Sequence, residues 1–120
     1  MTNKKQDFLI GTVEVPSITE DYNSKFILIK EPTLEGDKSQ FTLLCRKVHY
    51  HMDIVKSLKQ EGKNFTMYGG GWLRFNNGTI TSHGESFGYG IADVEKVKII
   101  LSDWCEKNKF SFENQMEEVN

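Results

Sequence analysis

Phe41-Thr42-Leu43-Leu44-Cys45-Arg46-Lys47-Val48 runs almost directly into Tyr50-His51-Met52-Asp53-Ile54-Val55-Lys56-Ser57-Leu58, and there the hydrophobic period changes. The first stretch is dominated by apolar and β-favouring residues and reads as a buried strand. In the second, Tyr50, Ile54, Val55 and Leu58 fall at helical spacing, with Lys56, Lys59 and Gln60 on the other face. Asp53 suits a first turn, where a carboxylate meets the positive end of the helix dipole. Gly62 suits the stop, since glycine readily takes the left-handed conformation that ends helices. A strong strand followed at once by a helix over residues 50–61 points to an α/β class.

The flanks extend this pattern. Residues 8–15 read as a short strand containing Gly11, and Lys25-Phe26-Ile27-Leu28-Ile29-Lys30 as a strong one. Residues 16–23 and 32–39, each opened by a proline, read as loops. Phe65-Thr66-Met67-Tyr68 and Trp72-Leu73-Arg74-Phe75 read as two strands interrupted by Gly69-Gly70-Gly71. Asn76-Asn77-Gly78 signals a hairpin turn, with the return strand over 79–82. Val97, Ile100, Leu101, Trp104 and Cys105 follow i, i+3, i+4, i+7 and i+8, which predicts a second helix. Asp93 and Glu95 stand near its start and Lys107 near its end, all favourable for the dipole. A last strand is expected over 109–112. The expectation is one α/β domain over residues 1–120, with a mixed five- to six-stranded sheet and two helices. Its core should span about residues 8–113, with a frayed start at 1–7 and a mobile tail at 116–120.

Composition narrows the function classes. The 120 residues are 38% hydrophobic and 27% charged, an ordinary balance for one packed core. Net charge is -2, so the broad basic field of a nucleic-acid binder is not expected. No apolar run reaches the length of a membrane span, and no signal-peptide hydrophobic stretch follows Met1-Thr2-Asn3-Lys4-Lys5. A cytoplasmic monomer without a membrane partner is the expectation. Cys45 and Cys105 sit far apart in apolar segments and read as buried free thiols.

His51 is the leading candidate for chemistry. The first amides of a helix lack intrahelical partners and attract anions. A histidine there feels the positive dipole end, which disfavours its charged form and suits it to act as a base near neutral pH. Spacing alone also fits a surface histidine at a strand-to-helix junction. His49-x-His51-x-Asp53 invites a metal reading, because on an extended segment these three side chains would share one face. The helical spacing that begins at Tyr50 opposes that reading. Gly69-Gly70-Gly71 could permit close backbone approach or a bulge, or simply bend the chain. In Gly84-Glu85-Ser86-Phe87-Gly88-Tyr89-Gly90, successive amides could form an anion nest with the Ser86 hydroxyl, or a plain surface loop. The loop lacks the lysine of a P-loop, and its G-x-S-x-G letters have no histidine downstream to complete a hydrolase triad. Lys25 could reach an anion as a point charge. Arg46 and Arg74, the only arginines, could act as phosphate forks or as ordinary surface charges.

Together, Tyr50-His51-x-Asp53-Ile54, Gly69-Gly70-Gly71 and Gly84-x-Ser86-x-x-Tyr89-Gly90 resemble the Janus/Ocnus family of protein histidine phosphatases, with Lys25-Phe26-Ile27-Leu28-Ile29 as its early strand. The resemblance spans roughly residues 13–112. It implies a phosphatase that needs no metal or other cofactor and hydrolyses phosphohistidine in a protein or peptide. By that analogy His51 is catalytic. Lys25 and the backbone around Tyr50, His51 and Met52 hold the phosphoryl group, and Ser86, Phe87 and Gly88 complete the cradle. Two positions depart from the pattern. Trp72 follows the glycine triplet where family members can carry arginine, and Gly88 stands where alanine is common. Arg46 is the candidate to supply the missing positive charge. The alternative is a binding module in which the same cradle holds a phosphorylated protein or a nucleotide without turnover.

Overall fold

The computed structural model describes residues 8–17, 21–33 and 38–117. The polar start at 1–7, the final 118–120 and parts of both expected loops, 18–20 and 34–37, lie outside the described residues. Six strands and two helices follow in order: β1 (Phe8–Glu14), β2 (Tyr22–Glu31), β3 (Ser39–Arg46), α1 (His51–Gln60), β4 (Thr66–Asn76), β5 (Thr79–His83), α2 (Val94–Asn108) and β6 (Ser111–Asn114). They build one mixed sheet in the order β1-β3-β2-β4-β5-β6. The four inner strands pair antiparallel, and each edge strand runs parallel to its neighbour. The α/β class, the mixed sheet and the two helices are as the sequence leads one to expect.

Alternation along the inner strands creates two buried faces. Phe26 and Leu28 on β2, with Phe41, Leu43 and Cys45 on β3, point toward Val97, Ile100, Leu101 and Cys105 of α2. Ile27 and Ile29 point the other way and meet Ile54, Val55 and Leu58 of α1. Period-two strands carrying apolar residues on both faces are what a sheet needs when helices lie on either side. Full burial of each such side chain stabilises by about 1.5–3 kcal/mol.

Both helices end as their sequences suggest. In α1, Asp53 accepts a hydrogen bond from the Tyr50 amide at 2.8 Å. Past its end, the Gly62 amide donates to Lys59 and the Lys63 amide to Leu58, the pair of bonds of a Schellman stop. In α2, the Asp93 carboxylate caps the Lys96 amide at 3.2 Å. Cys45 and Cys105 are buried free thiols. No helix among the described residues is long and apolar enough to cross a membrane.

Several boundaries differ from the sequence reading. The glycine triplet does not interrupt a strand, because β4 runs unbroken through it. The register against β2 shifts between Ile27 and Ile29, so a bulge absorbs the irregularity while pairing continues. β2 begins at Tyr22, which makes Lys25 an interior residue of the strand and not its opening one. The last strand is 111–114, since Lys109 takes a left-handed conformation as the cap of α2. Met116 is not part of a mobile tail: it is buried in the α2-side core, and its amide donates to the Asn114 side chain at 3.1 Å.

Candidate active site

The short helix α1 packs on Ile27, Ile29 and Leu44 of β2 and β3, and its first residue, His51, reaches Gly71 of β4. At its N-terminus a cavity of about 580 Å³ opens between the helix start, the sheet and the loop that follows β5. Tyr50, His51 and Met52 line it from the helix side and Lys25 and Trp72 from the sheet. The loop residues Glu85 to Tyr89 close the remaining wall.

His51 is the first residue of α1 and only 8% exposed. Its Nε2 lies 2.8 Å from the Gly71 carbonyl oxygen. A carbonyl can only accept, so Nε2 carries the proton and the lone pair of the neutral ring sits on Nδ1. Burial holds the imidazole below its ordinary value of 6.5. The Gly71 carbonyl opposes that shift, and the Lys25 charge adds to it. The shift toward the neutral imidazole has the direction expected from the sequence, but desolvation is its main cause.

Glycine is required where the sheet meets this ring. A Cβ on Gly70 would lie 2.7 Å from the Phe26 carbonyl oxygen, 3.1 Å from His51 Cδ2 and 3.2 Å from Ser86 Cβ. The bare backbone lets the imidazole and the loop converge on β4. Gly70 bonds to that loop in both directions: its amide donates to Gly90 and its carbonyl accepts from Ala92. The neighbouring Gly69 adopts φ +88, a conformation that side chains strain to reach.

The loop itself is tightly closed. Ser86 and Gly90 exchange backbone hydrogen bonds, and the Tyr89 amide donates to Ser86 Oγ at 3.2 Å. Ser86 is therefore buried, while Phe87 projects fully exposed from the turn. The amides of Phe87 and Gly88 have no hydrogen-bond partner among the described residues, nor do those of His51 and Met52. Four free amides thus stand on the helix start and the facing turn. Exposed Tyr50, Met52 and Phe87 form an apolar rim around them.

Lys25, His51 and the loop residues come together, whereas Arg46 does not line this cavity. It stands opposite Lys25 in the β2–β3 register, but its guanidinium is forked by Glu14, with Nη2 at 3.0 Å from Oε1. Arg74 is likewise forked by Asp21. Among the described residues, Lys25 is the one lysine or arginine lining the cavity. The metal reading loses its geometry too. His49 is exposed against the Tyr50 ring, His51 is bound to Gly71 and Asp53 to the Tyr50 amide. No group of three histidine, cysteine, aspartate or glutamate side chains among the described residues is arranged to hold a metal ion.

Sequence reasoning gave Trp72 and Glu85 no role at the site. Trp72 lies directly opposite Lys25 across β2–β4 and opposite His83 across β4–β5, a placement that only strand register reveals. Glu85 brings a negative charge to the same cavity as Lys25.

Residues 11–109 match the model of the Janus/Ocnus family (Ocnus), which is most of the chain. The chain belongs to the Janus/Ocnus family. The matched segment takes in Lys25, His51, the glycine triplet and the 84–90 loop, so the whole Janus/Ocnus cavity described above lies within it. No curated protein matches the chain.

Proposed function

We propose that this protein hydrolyses the P–N bond of phosphohistidine in a protein or peptide, using His51 as a general base and without a metal ion. The observation that carries the reading is His51: a buried, neutral imidazole whose Nε2–H is tied to Gly71 and whose Nδ1 is left as the basic atom. The unpartnered amides of His51 and Met52 at the helix start supply donors for phosphoryl oxygens. The Phe87 and Gly88 amides can add to that cradle, and Lys25 contributes positive charge. Family membership supports the same class of activity.

In the proposed step, water attacks phosphorus and gives its proton to His51 Nδ1. The P–O bond forms as the P–N bond breaks. The substrate ring carries a proton on the nitrogen remote from phosphorus, so histidine departs as the neutral imidazole; inorganic phosphate is left behind, and His51 then releases water's proton to solvent. Phosphoryl transfer depends mostly on positioning and charge stabilisation, so a base, a lysine and a ring of amides suffice for a labile phosphoramidate. The apolar rim of Tyr50, Met52 and Phe87 suits a substrate presented on a peptide rather than a small phosphate ester.

The test is release of phosphate from a phosphohistidine peptide, with and without EDTA, by wild type and His51→Ala. We expect EDTA to have no effect and His51→Ala to lose at least about a hundredfold in rate while staying folded. Near-normal turnover by the variant would reject the mechanism. Tight peptide binding without turnover by wild type would make the protein a binding module.

A further inference from the structure

We propose that Trp72 is a positioning residue: its indole face holds the Lys25 ammonium at the cavity wall as a positive charge ion-paired to no carboxylate among the described residues, ready for an anionic phosphoryl group. The proposal rests on the reading of this cavity as a phosphoryl site and names the residue that makes Lys25 effective.

Lys25 Nζ stands 4.1 Å from the centroid of the Trp72 ring. The contact follows from the sheet, since the two residues are directly paired across β2–β4. Lys25 has no carboxylate partner among the described residues, in contrast to Arg46 and Arg74, each forked by an acid. The difference matters chemically. A carboxylate would fix a lysine but also cancel its field. An aromatic face attracts the ammonium through the ring quadrupole and carries no net charge, so the full positive charge remains available. A lysine on a flexible stem would otherwise lose much of its effect to conformational freedom.

The indole is itself held in place. His83 stacks on it at 6.4 Å and 21° between planes, and His51 meets it edge to face at 6.0 Å. Gly84 makes room for it, since a Cβ there would lie 3.0 Å from Trp72 Cδ1. The two imidazoles therefore flank the ring on which the cation rests. The Lys25 charge also helps hold His51 below its ordinary value, so the placement of Lys25 bears on the base as well as on the ligand.

The experiment is titration of the full chain with inorganic phosphate, followed by NMR. Wild type, Trp72→Phe and Trp72→Leu are compared, each with Lys25 and with Lys25→Met. With Lys25 present, affinity should fall about threefold for Trp72→Phe and about tenfold for Trp72→Leu, following the loss of ring quadrupole. In the Lys25→Met background neither substitution should change affinity. The His51 titration midpoint should rise in Trp72→Leu. Equal losses in both backgrounds, or unchanged binding in Trp72→Leu, would overturn the proposal and leave Trp72 as a wall. Should Trp72→Leu fail to fold, the Trp72→Phe cycle decides by the same criterion. Absence of phosphate binding by wild type would reject the phosphoryl reading itself. The contact is checked separately by the ring-current shift of the Lys25 ε-protons, and lack of that shift in wild type would overturn the positioning role alone.

Discussion

On the α2 side of the sheet, buried apolar residues run from Phe8 on one edge strand to Ile80 on β5 and include Met116 beyond the last strand. On the α1 side the buried cluster is confined to Ile27, Ile29, Leu44 and three residues of the helix. Part of the difference is length. With ten residues α1 is about 15 Å long, whereas α2 has fifteen and reaches about 22 Å. A short helix leaves part of its sheet face uncovered, and there Lys25 and Trp72 become the floor of a cavity. One face is built for stability, and the incompleteness of the other creates the site.

The sharpest way to test this division is to damage each face in turn. Leu101 is fully buried under α2. Leu101→Ala should cost about 2–5 kcal/mol in chemical denaturation, the usual range for a buried leucine. The folded fraction should keep wild-type turnover per molecule. Impaired chemistry in that fraction would show that the faces are coupled.

Gly70→Ala should behave differently. The added methyl group must displace the Phe26 carbonyl, the His51 ring or Ser86. We expect a loss of about 1–3 kcal/mol, as for other overpacked sites, accompanied by at least a tenfold drop in turnover from a misplaced base, on the order expected when catalytic geometry shifts by a fraction of an ångström. Melting curves and rates on the same sample separate the two effects. A variant as active as wild type would refute the role given to the glycine.

The smallest effect is on pH dependence, and it divides along the same line. His51 and His83, both on the α1 face, are held below 6.5, burial being the first cause in each case. The unfolded chain therefore binds protons more readily, and stability should fall as pH drops through 6.5 toward the folded values. On the α2 face, burial pushes the Cys45 thiol up to about 12 and Cys105 up to about 11, both from 9.0. There the unfolded chain ionises first, so stability should fall as pH rises above 9. Thermal melts of wild type and of His51→Ala should show the acid-side loss reduced in the variant and the alkaline loss unchanged. The kcat/KM profile should decline on the acid side with a midpoint below 6.5. A midpoint above that value would contradict a base held neutral by burial.

Much of this was legible in the sequence because local pattern carries it. The change of period before Tyr50 marks the start of α1, and the apolar spacing from Val97 to Cys105 marks α2. His51 is identifiable because helix starts are recognisable from sequence. The misplaced features depend on distant partners. The glycine triplet reads as a break, since glycine weakens strands, yet its role is to admit a histidine and a loop from elsewhere in the chain. Arg46 reads as a free cation until β1 brings Glu14 beside it, 32 positions away. Trp72 acquires meaning only from the register that sets it between Lys25 and His83.

The edge strands have a consequence for assembly. Each is parallel to its neighbour, with Ile10 paired to Phe41 and Ile80 to Phe112, so neither can form through a tight hairpin. Such pairings close long loops and are slow to nucleate. β1 precedes its partner β3 with β2 between them, and β6 follows its partner β5 with α2 between them. The sheet is therefore expected to grow outward from its antiparallel middle, with the two edge strands fastened last and opening first.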